Sequence, residues 1–211
     1  MRPAVVQLID LGLDRSFDQS MALAQSLIQS INVDWNHPAA EVEFIRIRDL
    51  ETVAAALAAG SDIAHIMSHS SKKKNEESAA FVSDDGETMF DLDDLARKLQ
   101  DRQSPLASAV LFADCCDSFG KGFQRAIRDM LSQPVLYLAA KGMIGWHDST
   151  TFGSVFYSAY FRRKGKGLDP LARAEDAARR AVASYEQLLE RACPYGFTTL
   201  QASRGAKSAF H

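Results

Sequence analysis

The sequence predicts an α/β fold with a mostly parallel central sheet and helices on both of its faces. Two observations carry this. Five short apolar runs, each about the length of a buried strand, recur along the 211 residues. Between them lie stretches whose apolar residues are spaced by three and four, as one face of a helix requires. Strand and helix taking turns implies right-handed crossovers, parallel strands and a ligand site at the carboxyl ends of those strands.

Taken in order, the first strand is Ala4 to Ile9. Met21, Ala24, Leu27, Ile28 and Ile31 then share one helical face, and Val42 to Ile47 is the second strand. Asp49 is placed to cap a helix whose face holds Leu50, Val53, Ala54 and Leu57, because a carboxylate there accepts from amides that lack an intrahelical partner. Ile63 to Met67 is the third strand. The polar stretch Ser70 to Ser78 reads as a loop, and Ala80-Phe81-Val82 before Asp84-Asp85-Gly86 reads as a strand entering a turn of a small hairpin. Asp91 is placed to cap the helix bearing Leu92, Leu95, Ala96 and Leu99. Ala107 to Ala113 is the fourth strand, Phe123, Ala126, Ile127, Met130 and Leu131 mark the next helix, and Pro134 to Ala140 is the fifth strand. Phe152, Val155, Phe156, Ala159 and Tyr160 form a further helical face. Asp169 and Pro170 open a long helix with Leu171, Ala174, Ala178, Ala181, Tyr185 and Leu188 on one side, and Phe197 to Leu200 is a closing strand.

Composition narrows the classes. The length fits one domain spanning 1–211, with no internal repeat, and 46% hydrophobic with 24% charged residues is ordinary globular usage. A formal charge of −3 gives no basic surplus for nucleic acid, and no run approaches the roughly 20 apolar residues of a membrane span. Met1 to Asp10 lacks the pattern of a secretory signal. Three cysteines, two of them adjacent, cannot build a secreted disulfide framework, so a reducing, cytoplasmic compartment is expected.

Two reactive residue types fall at predicted strand ends: Ser68-His69-Ser70 after the third strand and Asp114-Cys115-Cys116 after the fourth. A thiol attacks a carbonyl as thiolate, and an imidazole nearby can take its proton and later return it to the leaving amine. Cys116 precedes a helix starting near Gly120, whose dipole favours negative charge, and turn amides there can hold an oxyanion. Cys115 and Cys193 read as core thiols and His65 as a core histidine, placed by alternation on the same side as His69. A zinc site from His65, His69, Cys115 and Cys116 is disfavoured, since adjacent cysteines on a strand point to opposite faces and no CxxC spacing occurs. No G-x-S-x-G elbow is present.

DIAHIMSHS (Asp62 to Ser70), VLFADCCDS (Val110 to Ser118) and GMIGWHDSTTFGSVFYSAYF (Gly142 to Phe161) resemble, in order, the His strand, the Asp-x-Cys-x-Ser strand and the following helix of clan CD cysteine peptidases. These are the caspases, metacaspases and, most similar, the bacterial CHAT domains. His69 and Cys116 are 47 residues apart, close to the roughly 50 of caspases. The resemblance implies a caspase-like three-layer sandwich and a cysteine endopeptidase with a His69–Cys116 dyad and no cofactor. It also implies an oxyanion hole from Ser70 and Cys116, and a preference for Lys or Arg through Asp114. Asp114 is alternatively a structural acid; Asp148 lines the pocket or caps a helix; Trp146 walls the pocket or packs. The implied partners are a protein substrate and a regulatory protein or ligand, in bacterial antiviral defence or regulated cell death. Two departures stand out. Ser70 replaces the family's Gly, which favours an alternative reading as an inactive module that binds a partner or small signal. Asp117 follows the nucleophile where metacaspases often have His. The chain also has no long cleavable linker between Cys116 and Pro134.

Overall fold

The alternation of apolar runs and amphipathic stretches folds into three layers. The computed structural model describes residues 3–15, 17–33, 39–47, 49–72, 79–83, 87–162 and 169–210. Strands β1 (Ala4–Asp10), β2 (Ala40–Arg46), β3 (Ile63–Met67), β7 (Val110–Asp114), β8 (Val135–Ala140) and β9 (Tyr195–Leu200) form one sheet in the order β2-β1-β3-β7-β8-β9. The first five are mutually parallel, and β9 runs antiparallel to β8. A second sheet, β4 (His69–Lys72), β5 (Ala79–Val82) and β6 (Met89–Asp91), is antiparallel throughout.

The period of two along each strand divides the core. Leu111 and Ala113 of β7 pack with α2 (Leu50–Ala59), α3 (Leu92–Asp101) and α4 (Lys121–Arg128). Val110 and Phe112 of the same strand pack on the other face with α1 (Phe17–Val33), α5 (Trp146–Phe161) and α6 (Pro170–Leu189). Leu92, Leu95 and Leu99 attach α3, and burying each is worth about 1.5–3 kcal/mol. Caps fix where helices begin. Asp49 accepts from the Thr52 amide at 2.8 Å, Asp91 from Asp93 at 2.8 Å, and Asp169 from Leu171 and Ala172 at 3.0 Å each, with Pro170 opening α6. A short α7 (Arg204–Ala209) is capped by Ser203. Gly60 ends α2 at φ 81°, where a side chain would be strained and its Cβ would stand 3.0 Å from the Ala107 carbonyl.

Several expectations shift. The fourth main strand starts at Val110 instead of Ala107, because the Ala107 amide donates to Leu57 and the Ser108 hydroxyl pairs with Ser61 before the ladder begins. Helix α4 ends at Arg128, yet Met130 and Leu131 stay buried, Leu131 through a bridge to Leu106. Leu188 is 66% exposed in the last turn of α6, outside the core that the helix's face was expected to join. Ser70 to Lys72 belong to β4, drawn into a ladder by the buried Ala79, Ala80 and Phe81 of β5. The remainder of that polar stretch, 73–78, and Asp84-Asp85-Gly86 lie outside the described residues. Among the described residues, no helix is long and apolar enough to cross a membrane.

Candidate active site

Strand order places the site. The chain steps from β1 outward to β2 and returns to β3 on the other side of β1, so a crevice opens between the carboxyl ends of β1 and β3. Asp14 follows β1 and His69 follows β3. Across that crevice His69 Nε2 and Asp14 Oδ2 are 2.8 Å apart. A carboxylate accepts, so it places the imidazole proton on Nε2 and leaves Nδ1 as the basic nitrogen. The turn carrying Asp14 is shaped by Asp10, which accepts from the Gly12 amide at 2.7 Å, with Gly12 at φ 68°.

The strand β7 ends in a tight turn. Asp117, directly after Cys116, is left-handed at φ 54°, a conformation Asp tolerates better than most residues. It is held there: the Asp117 amide donates to Gly142 at 2.9 Å and the Phe119 amide to Ala140 at 2.8 Å. The buried Ser118 hydroxyl donates to the Cys115 carbonyl at 2.7 Å and, more weakly, to Ala113 at 3.1 Å. Cys116 therefore sits on a rigid strand-to-helix turn. Its amide has no acceptor among the described residues.

Cys116 and His69 meet in one cavity of about 260 Å³, whose other walls include Phe17, Ser68, Asp114, Ile144, Trp146 and Ser149. The Ile144 amide lies 3.5 Å from Cys116 Sγ, two residues before α5 begins. The start of α5 is thus brought to the sulfur, in addition to α4 further along the chain, and a helix's positive end favours a thiolate. Cys115 is the opposite case: it points into the core, and burial drives its thiol far above the ordinary range. Burial raises the Cys193 thiol as well. Phe17 packs edge-on against both His69 and Trp146, with ring centroids 5.0 and 4.9 Å apart. Trp146 is both a cavity wall and a packing partner, with nearly half its surface exposed.

The remaining predicted residues divide. Asp114 is 4% exposed and lines the cavity; its Oδ1 accepts from the Tyr195 hydroxyl at 2.5 Å and its Oδ2 from the Ser149 hydroxyl. Asp148 is not among the cavity-lining residues. It accepts from the Gly145 amide at 3.1 Å, from the Tyr185 hydroxyl and from Arg191, and so closes the first turn of α5. Burial works to raise the Asp148 carboxyl, but those three donors outweigh it and hold it below the usual carboxylate range. Ser70 does not line the cavity either; its hydroxyl donates to the Cys116 carbonyl and braces the turn. His65 and His69 both face the layer of α1 and α5, as alternation predicts, His65 meeting Tyr157 and His69 packing on Phe17, although the chain leaves the main sheet at Ser68. His65 is buried, stacked on Phe112 at 4.1 Å, with Nδ1 2.7 Å from the Tyr157 hydroxyl. Among the described residues, no three His, Cys, Asp or Glu side chains gather in a way that would hold a metal ion.

Sequence reasoning missed Asp14, Phe17, Ile144, Ser149 and Tyr195. Asp14 had a readable signal, an acid just past the carboxyl end of the first strand. Ser149 and Tyr195 had none, being 35 and 81 residues from the carboxylate they bind. No family model matches the chain, and no curated protein matches it.

Proposed function

We propose that the protein is a cysteine endopeptidase of the caspase-like kind, with Cys116 as nucleophile and His69 as general acid and base. The observation that carries this reading is the convergence of Cys116, His69 and Asp14, from three separate strand ends, on one crevice. His69 Nδ1 takes the thiol proton, and the Cys116 sulfur attacks the peptide carbonyl to form a tetrahedral adduct. The Cys116 amide supports the oxyanion. The C–N bond then breaks, the imidazolium protonates the leaving amine, and water, deprotonated by the same imidazole, hydrolyses the thioester.

Asp114 supports cleavage after Lys or Arg. It lies in the cavity with the nucleophile, and its hydrogen-bond donors are the neutral hydroxyls of Ser149 and Tyr195. Among the described residues no Lys or Arg pairs with it; His65 Nε2, 3.5 Å away, is the nearest basic nitrogen. A substrate cation would supply the partner that a buried carboxylate needs. The Ser70 hydroxyl, turned onto the Cys116 carbonyl and away from the cavity, weighs against an inactive binding module. On this reading the enzyme works in the cytoplasm under control of a protein or ligand, in defence or regulated death.

The test is a peptidyl-Arg acyloxymethyl ketone, with the labelled cysteine mapped by mass spectrometry. Cys116 is labelled in the wild type and in Cys115→Ala, and labelling is lost in Cys116→Ala and His69→Ala while circular dichroism is unchanged. Labelling at Cys115, or none in a folded wild type that also fails to cleave basic peptides, overturns the reading.

A further inference from the structure

His65 is a buried histidine that the reaction above does not use. It pairs in register with Phe112 of β7, and Asp114 lies two residues further along that strand, so the period of two puts all three side chains on the sheet face that α5 covers. The imidazole lies flat on Phe112, with ring centroids 4.1 Å apart and 6° between the planes. Its Nδ1 is 2.7 Å from the Tyr157 hydroxyl. At the other end of the ring, Nε2 has no completed hydrogen bond among the described residues and faces Asp114 Oδ2 at 3.5 Å. A buried donor left incomplete costs stability, and an apolar ring would pack on Phe112 without that cost. What the imidazole adds is a donor beside a buried carboxylate.

We propose that His65 is a positioning residue of the basic-substrate pocket, a neutral donor on the core side of Asp114 that aims the carboxylate without cancelling its charge. Burial first, and the Asp114 charge second, push the Tyr157 phenol well above its ordinary range, so its hydroxyl keeps the proton. Of the two neutral tautomers of His65, one accepts from that hydroxyl at Nδ1 and points Nε2–H at Asp114, while the other turns a lone pair on the carboxylate. These partners assign the first. At 3.5 Å the contact is a charge–dipole attraction and not a full hydrogen bond, strengthened by the low dielectric of its buried surroundings. A Lys or Arg in the same place would pair with Asp114 and displace the substrate cation; an imidazole N–H leaves the charge for it. His65 does not line the Cys116 cavity, so it reaches a substrate only through Asp114. This role rests on Asp114 receiving the Lys or Arg of a substrate.

Two measurements test it: kcat and KM for matched Arg and Gln peptides, and NMR titration with n-butylguanidinium against pentanamide, its neutral counterpart. The titration reads His65 whether or not the protein cleaves peptides. His65→Phe keeps the stack on Phe112 and removes both nitrogens. In that variant KM rises about tenfold more for the Arg peptide than for the Gln peptide, kcat shifts by the same factor for both, and n-butylguanidinium loses about tenfold more affinity than pentanamide. His65→Gln, which retains a side-chain N–H donor, recovers most of the Arg preference. Should His65→Phe fail to fold, Tyr157→Phe, which deletes the hydroxyl that fixes the tautomer, lowers the Arg preference about threefold. Equal losses for Arg and Gln peptides in the folded variant, or an unchanged n-butylguanidinium affinity, overturn the role of His65 and leave Cys116 and Asp114 as assigned. A wild type that binds n-butylguanidinium no better than pentanamide and does not favour Arg peptides overturns the basic-substrate reading itself, and the role of His65 with it.

Discussion

Replacing Asp14 by Asn isolates what the carboxylate does for His69. The substitution keeps size and an acceptor oxygen but removes the charge facing Nε2 at 2.8 Å. A hydrogen bond to a charged group contributes about 1.5–3 kcal/mol. The His69 side chain is 34% exposed and Asp14 16%, so solvent screening puts the effect near the lower end, roughly 1.5–2 kcal/mol. At tenfold per 1.36 kcal/mol, kcat on a basic peptide falls about 10- to 30-fold. Because Asp14 acts through His69 and is not among the residues lining the cavity, KM stays near the wild-type value. The assay is steady-state cleavage of a fluorogenic Arg peptide, with Tm as control for folding. An equal loss in kcat and in Tm-matched surface variants, or a rise in KM with kcat unchanged, would refute the orienting role.

Asp114→Asn depresses kcat/KM for Arg peptides by at least about 100-fold more than for matched Gln peptides, given about 3–5 kcal/mol for removing one partner of a buried pair; a uniform loss across peptides marks Asp114 as structural. Asp148→Asn removes a cap worth about 1 kcal/mol, or roughly 2–4 °C in Tm, at neutral pH. Since the folded Asp148 carboxyl is held below its unfolded value near 3.9, its contribution is present above that pH and fades as pH falls through the lower folded value. The Tm gap between wild type and Asp148→Asn, followed by scanning fluorimetry from pH 7 to pH 3, therefore narrows only below about pH 4; a gap independent of pH contradicts the assignment.

The layers of this fold were legible because their cause is local. A run such as Val110 to Ala113 can be buried only as a strand, the face Leu92, Leu95, Ala96 and Leu99 only as a helix, and Asp49, Asp91 and Asp169 cap because their carboxylates reach amides two or three residues away. His69 and Cys116 were legible for the same reason, as reactive residues just past the ends of apolar runs. Trp146, Asp114 and Asp148 were located but not assigned, and Ser70, expected at the oxyanion hole, does not line the cavity. Whether a polar side chain turns to the cavity or to its own scaffold depends on which donors stand opposite. For Asp148 these are Tyr185 and Arg191, 37 and 43 residues away, and for Ser70 the Cys116 carbonyl, 46 residues away. Asp14 facing His69 across 55 residues likewise exists only because the strand order β2-β1-β3-β7 brings the ends of β1 and β3 together. Periodicity along the chain determines which segments are buried; the crossing of the chain in space decides which side chains then find one another.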